Sequence, residues 1–189
     1  MLMSRSTKAP EIYFDESICK GYAYRSSFTD ELEERWFGKY YGNKLMLDLV
    51  EVAYLLSQDK IIVKSSDKYI DNVEELVKDH GKCFDKFFWP MLSVFKDLRE
   101  RGRRIRVVEP LKFLVKDKTG ELRVVYVLEE KMSLNIDYLQ SIVSEAMRNN
   151  LKATLAIVSL QGELTYYDIT SANLMVEKNE RVQSASRYA

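Results

Sequence analysis

Residues Leu151 to Ile169, LKATLAIVSLQGELTYYDI, leave the chain less freedom than any other stretch. An apolar run, a turn signal and a second β-favouring run follow one another there without a gap. Leu155, Ala156, Ile157 and Val158 are apolar at successive positions, the pattern of a strand covered on both faces of its sheet. Gln161 and Gly162 supply the turn, and Leu164 to Ile169 resumes with Thr, Tyr and Ile. A hairpin of this kind needs cover. The preceding segment, Asn135 to Asn149, offers it, because Ile136, Leu139, Ile142, Val143 and Ala146 fall on one side of a helix. Upstream, LKFLV and LRVVYVL flank a polar turn at Lys116 to Gly120 and form a second hairpin. Before them, Arg103 to Val108 alternates basic and apolar residues as a half-exposed strand does.

A long helix leads into these strands. Phe84, Phe87, Phe88, Met91, Leu92, Phe95 and Leu98 keep a three-or-four spacing that Pro90 either kinks or restarts, and Arg101-Gly102 ends it. The aromatic stripe reads as core rather than as a cofactor box. In the first eighty residues, EIYF and GYAY are short strands, and a helix with Thr29 or Ser27 as its cap follows. Lys44 to Leu47 is a strand. Asp48 and Glu51 make a capping-box start for a helix whose Leu49, Val52, Ala53 and Leu56 share a face. Ile61 to Val63 is a strand, and a helix from about Asp71 stops at the cationic His80 and Gly81. A boundary at Gly81 to Cys83 divides the chain. The expected architecture is an α+β N-terminal domain over 1–83, with a loose leader at 1–10, then an α/β C-terminal domain over 84–175 with a mixed sheet flanked by helices. A polar tail over 176–189 completes it.

Lys plus Arg and Asp plus Glu are equal at 29 each, so any surface for a polyanion is local. Nine of the 29 cations lie between Lys96 and Lys118. Phosphate contact is the functional reading, with RNA contacts expected at Arg103, Arg104, Arg106 and Lys112, joined by Lys152 before the hairpin. The plainer reading is a solvated face balanced by Asp97, Glu100 and Glu109. No run approaches the roughly 20 apolar residues of a membrane span, and the first residues lack a signal peptide's apolar core, which predicts a cytoplasmic protein without membrane contact. Cys19 and Cys83 have no His or Cys at metal-ligand spacing, so reduced packing thiols and no metal or cofactor are expected.

The phrases FKDLRERG, PLKF and LKATLAIVSLQGELTYYDIT together resemble the C-terminal domain of archaeal tRNA-splicing endonucleases. FGKYYGNKLMLDLVEVAYLL is similar to that family's first domain. The likeness covers roughly residues 30–63 and 84–174, in order and spacing. It implies cleavage of precursor tRNA at bulge-helix-bulge motifs without a metal, leaving 2′,3′-cyclic phosphate and 5′-OH ends. Such cleavage needs a base for the ribose 2′-OH, an acid for the departing 5′-oxygen and a cation for the phosphorane charge, filled in the family by Tyr, His and Lys. The place corresponding to the Tyr is the segment around Val115 and Lys116, which holds none. The place of the His is occupied by Glu121, Leu122 and Arg123, and that of the Lys by Leu151, with Lys152 one residue on.

The resemblance therefore implies a noncatalytic structural subunit, with no catalytic residues of its own, that assembles with a catalytic subunit as a heterotetramer of two plus two. It further implies an acidic docking loop at Glu129 and Glu130 and a closing strand, with Tyr166, Tyr167 and Ile169, at a dimer interface. Two rivals remain: a magnesium-dependent nuclease using Asp117, Glu129 and Lys131, and a stand-alone RNA-binding module.

Overall fold

The computed structural model describes residues 9–170. The expected tail at 176–189, and all of the expected leader except Ala9 and Pro10, lie outside them. Among the described residues, eleven strands and five helices form two sheets with helices against each, an α+β arrangement followed by a mixed α/β one. In chain order the first half holds β1 (Glu11–Asp15), β2 (Lys20–Tyr24), α1 (Ser27–Glu34), β3 (Lys39–Tyr41), β4 (Lys44–Asp48), α2 (Leu49–Ser57), β5 (Ile62–Ser65), β6 (Lys68–Ile70) and α3 (Val73–Asp79). Its sheet runs β3-β4-β2-β1-β5-β6, antiparallel except for the β1–β5 pair.

Local chemistry sets these elements. The Asp48 carboxylate caps α2 by accepting from the Val50 N–H at 3.2 Å, and Glu51 accepts in return from the Asp48 N–H at 2.8 Å, the expected capping box. The cap of α1 is Ser26 rather than Thr29 or Ser27. Thr29 is the third helical residue, and its hydroxyl closes the box by accepting from the Ser26 N–H at 2.7 Å. Gly38 has φ 64°, and a Cβ there would sit 2.5 Å from the Met46 carbonyl, so β3 can lie against β4 only with glycine at this position. Gly21 lets α2 approach β2, since a Cβ would meet the Val52 side chain at 2.6 Å. His80 does end α3, but Gly81 keeps a negative φ and opens a single 3₁₀ turn, Gly81–Cys83, in place of a left-handed stop.

The second half holds α4 (Phe88–Glu100), β7 (Arg104–Glu109), β8 (Lys112–Lys116), β9 (Leu122–Glu129), α5 (Ile136–Arg148), β10 (Lys152–Val158) and β11 (Leu164–Ile169). Pro90 is the third residue of α4, where its missing N–H has no partner to lose, so the helix restarts rather than kinks. The sheet order is β11-β10-β9-β8-β7, with β9 and β10 parallel across the α5 crossover. The organising hairpin pairs Ala153 with Ile169 through Val158 with Leu164. Its strand β10 is covered on both faces: Ala156 and Val158 enter the main core with α4, while Ala153 and Leu155 join a smaller cluster under α5.

The main core is continuous across the two halves. It includes Phe37 from the first and Phe95 and Phe113 from the second, with ring centroids 6.2 Å and 5.9 Å apart in succession. Arg99 seals the same junction, donating to the Arg35, Trp36 and Ile105 carbonyls at 2.7 to 2.8 Å with its guanidinium 3.8 Å above the Phe37 ring. Cys19 and Cys83 are joined in a disulfide with Cα atoms 5.4 Å apart, which corrects the expectation of free thiols. The fold brings the β1–β2 turn against the end of α3, where His80 packs on Phe14 at 4.7 Å, and 64 residues of sequence separation hide that proximity. Among the described residues no helix is long and apolar enough to cross a membrane.

Candidate functional site

The segments at which the sequence looked for a base, an acid and a cation do converge. The end of β8, the starts of β9 and β10 and the end of β11 meet at one end of the second sheet, because Lys116 pairs with Leu122, Arg123 with Lys152, and Thr154 with Asp168. By strand alternation Arg123, Lys152, Thr154 and Asp168 share the α4 face. They form a closed ionic group. Lys152 Nζ lies 2.6 Å from Glu121 Oε1, and Arg123 reaches Glu121 Oε2 at 3.4 Å and Asp168 Oδ1 at 3.2 Å. The Thr154 hydroxyl donates to the same Asp168 oxygen at 2.7 Å.

The tyrosine and histidine sought there are absent, and the place of the lysine holds Leu151. Val115 is fully buried in the main core, and Lys116 extends toward the Trp36 ring at 6.0 Å. Leu151 packs into the cluster under α5 and donates its N–H to the Ala146 carbonyl at 2.9 Å, closing the helix after Asn150 turns left-handed at φ 54°. The one histidine, His80, is buried against Phe14 of the first sheet, with Nδ1 3.6 Å from Glu16. What remains at the sheet end is two cations held by two carboxylates, an arrangement that orders strands and can offer phosphate only a partly neutralised surface.

A family described as the tRNA intron endonuclease N-terminal domain matches residues 15–77. A tRNA-splicing endonuclease of Pyrococcus horikoshii is 32% identical over 157 residues, which cover 78% of this chain and 89% of that protein. The chain belongs to the tRNA-splicing endonuclease family. The relative from Pyrococcus abyssi is 34% identical over the same shares. One from Methanosarcina mazei is 29% identical over 153 residues, which cover 73% of this chain but 40% of that protein.

In this splicing endonuclease family member the expected surface residues are scattered. Glu129 ends β9, while Glu130 lies exposed just beyond, its N–H donating to the Val158 carbonyl at 3.0 Å and its carboxylate accepting from the Leu160 N–H at 3.3 Å. The acidic loop is thus tied to the β10–β11 turn. Strand β11 is a sheet edge whose residues split between faces. Tyr166 faces α4 and donates to Asp97 at 2.6 Å, and burial together with that bond pushes its hydroxyl pKa up. Tyr167 is exposed on the α5 face, and Ile169 packs beneath α5.

The basic stretch is not one surface. Arg104 is exposed and Arg103 half-buried, but Arg106 pairs with Glu33 at 3.1 Å. Lys112 is buried, 2.6 Å from Glu145, whose other oxygen accepts from Tyr126 at 3.2 Å. Burial pulls the Lys112 ammonium down, and the Glu145 bond with nearby charges outweighs it, leaving the pKa raised. Burial pushes the Tyr126 hydroxyl up to about 12, so it stays protonated and anchors α5 to the sheet. Sequence reasoning missed this Lys112–Glu145–Tyr126 group because it joins a strand to a helix 33 residues later. It missed the Glu121 and Asp168 partners because they depend on the strand register.

The residues of the magnesium-dependent alternative are separated. Asp117 lies in the β8–β9 turn, its carboxylate held by Thr119 and the Glu121 N–H and lowered in pKa chiefly by the Thr119 hydroxyl. Glu129 is at the other end of the eight-residue β9. At about 3.3 Å per residue the two carboxylates stand more than about 20 Å apart, too far to share an ion.

Proposed function

We propose that this chain is the noncatalytic, structural subunit of a tRNA-splicing endonuclease that excises introns from precursor tRNA at bulge-helix-bulge motifs. The observation that carries the reading is the ionic group at the sheet end. Glu121, Arg123, Lys152 and Asp168 neutralise one another there, while Leu151 is turned into the apolar cluster under α5. A scaffold of this kind gains nothing from proton-shuttling side chains, and an ion group in their place ties together β9, β10 and β11. On this reading the chain comprises an N-terminal unit over 1–83 and a nuclease-like unit over 84–175, and it acts in the cytoplasm. Its partner is a catalytic subunit, in a two-plus-two heterotetramer. The partner contacts the loop at Glu129 and Glu130 and the edge strand around Tyr166, Tyr167 and Ile169. Arg103 and Arg104 are the cations of the basic stretch best placed to meet RNA phosphates.

Reconstitution tests this. The purified chain is incubated with a bulge-helix-bulge RNA, alone and mixed with the catalytic subunit, and the mass of the mixture is measured. No cleavage alone, cleavage on mixing and a mixed tetramer are expected. Cleavage at both junctions by the chain alone overturns the assignment. A chain that binds RNA yet never assembles would make it a stand-alone RNA-binding module instead.

A further inference from the structure

Among the described residues, the first sheet buries only one of its faces. Ile12, Phe14, Ala23, Leu45, Leu47 and Val63 point into the core, so the alternate residues point outward. Strand pairing aligns those outward residues in one row across all six strands: Lys39, Met46, Tyr22, Tyr13, Lys64 and Tyr69. A second, shorter row places Tyr41, Lys44 and Tyr24 side by side. Five of the chain's 12 tyrosines therefore stand on this single face.

The rings are arranged as an open platform. Tyr13 and Tyr22 stack at 5.4 Å, and Tyr24 meets Tyr22 edge-on at 6.2 Å. Lys44 Nζ lies 4.5 Å and 5.3 Å from the Tyr22 and Tyr24 centroids, and Lys64 Nζ lies 5.7 Å and 5.6 Å from those of Tyr13 and Tyr69. Tyr24 remains 53% exposed and Tyr41 63% exposed. The acids near the face are Glu11, beside Ile62, and Asp15 and Asp48, which flank Lys20 in register, so the outward positions hold three carboxylates against the four lysines Lys20, Lys39, Lys44 and Lys64. Lys39, Lys44 and Lys64 leave the aromatic rows with a cationic excess. On the β3 side the face adjoins a cleft of about 520 Å³ in which Lys20, Lys39 and Arg106 are offset by Asp48, Glu51, Asp85 and Glu109, so the cationic excess belongs to the face and not to the cleft.

We propose that the outer face of the N-terminal sheet binds single-stranded RNA, with unpaired bases stacking on Tyr24 and Tyr41 and the backbone phosphates meeting Lys39, Lys44 and Lys64. Flat aromatic faces interleaved with flexible cations are what a sequence-tolerant single-strand site requires, since every base has a π-face and every nucleotide a phosphate. A protein partner fits less well, because protein interfaces are depleted of lysine at their cores. Duplex RNA fits less well too, because its bases are already stacked. The inference does not rest on the noncatalytic reading, and its failure leaves that reading standing, since the latter is judged by cleavage.

The test uses the full chain and a fluorescein-labelled oligouridylate of about 12 nucleotides, read by anisotropy at several salt concentrations. Replacing the two most exposed rings, Tyr24→Ala with Tyr41→Ala, is expected to weaken binding by about 10-fold or more, while the corresponding phenylalanine pair stays within about twofold. Lys44→Ala with Lys64→Ala is expected to flatten the salt dependence, by about 0.7 in log–log slope for each phosphate no longer neutralised. Should the alanine pair lower the unfolding temperature enough to confuse the result, Lys44→Glu with Lys64→Glu carries the test and is expected to abolish binding. Absence of binding by the unaltered chain overturns the proposal, as does unchanged affinity in the tyrosine pair. If that pair binds RNA normally but no longer assembles with the catalytic subunit, the face is a protein surface and the proposal fails.

Discussion

Glu51 is held between Gly38 and Asp48, whose N–H groups donate to its two carboxylate oxygens at 2.9 Å and 2.8 Å. Burial nevertheless dominates and raises its pKa from 4.5 to about 7. Between those values the folded chain keeps a proton that the unfolded chain has released. This group's contribution to stability is therefore full below about 4.5, falls as pH rises to about 7, and is flat beyond. At about 1.4 kcal/mol per unit the fall is on the order of 3 kcal/mol. Denaturant titrations at pH 5 and pH 7.5 are expected to show that decline, and Glu51→Gln is expected to remove most of it. Arg99 gives a second test of a single side chain. Within a run read as phosphate-binding, it instead donates to three backbone carbonyls, and burial lowers its pKa to about 10 without discharging it at neutral pH. Arg99→Ala leaves those carbonyls short of a donor and is expected to cost about 3 kcal/mol or more, a fall in unfolding temperature of about 6–12 °C by calorimetry. Arg99→Lys recovers little of it, since an ammonium lacks the planar fork that spans three acceptors.

Elements with a strong local signal were legible in the sequence. The Asp48–Glu51 capping box, the α5 stripe from Leu139 to Ala146, without the exposed Ile136, and the double-sided apolar run of β10 each fix their element through neighbours a few residues away. Strands β3 and β6, three residues each, carried no such signal and exist through pairing with β4 and β5. The same divide holds at the candidate site. Its segments could be placed by order along the chain, whereas the partners of Arg123 and Lys152 come from the parallel β9–β10 register and the β11 edge. The loop after β9 can be tested in the same terms. Glu130 is tied to the β10–β11 turn through Leu160, so reversing its charge disturbs two adjacent loops at once. Glu129→Lys with Glu130→Lys is expected to weaken assembly with the catalytic subunit about 10-fold or more by analytical ultracentrifugation while leaving the fold intact. An unchanged complex would remove this loop from the interface.

Over the full chain, the disulfide is the feature the sequence hid most completely, because it depends on where the β1–β2 turn comes to rest. The expectation of reduced thiols rests on an intracellular setting, and two cysteines so far apart in sequence give no local sign that they meet. Cys19 and Cys83 close a loop of 64 residues in sequence separation, which restricts the unfolded chain by about 4 kcal/mol. Reduction, or Cys19→Ser with Cys83→Ser, is expected to lower the unfolding temperature by about 8–16 °C in a calorimetric scan, and a change under about 2 °C would mean the bond contributes little.

Phe37, Phe95 and Phe113 form one unbroken chain of tilted and edge-on ring contacts across the line that divides the two sheets. Severing the polypeptide near Gly81 and reducing the Cys19–Cys83 bond would consequently not yield two self-sufficient fragments. Each would bear a raw aromatic face made to be covered by the other, and a chimaera that borrowed one half from a relative would have to borrow the matching rings as well.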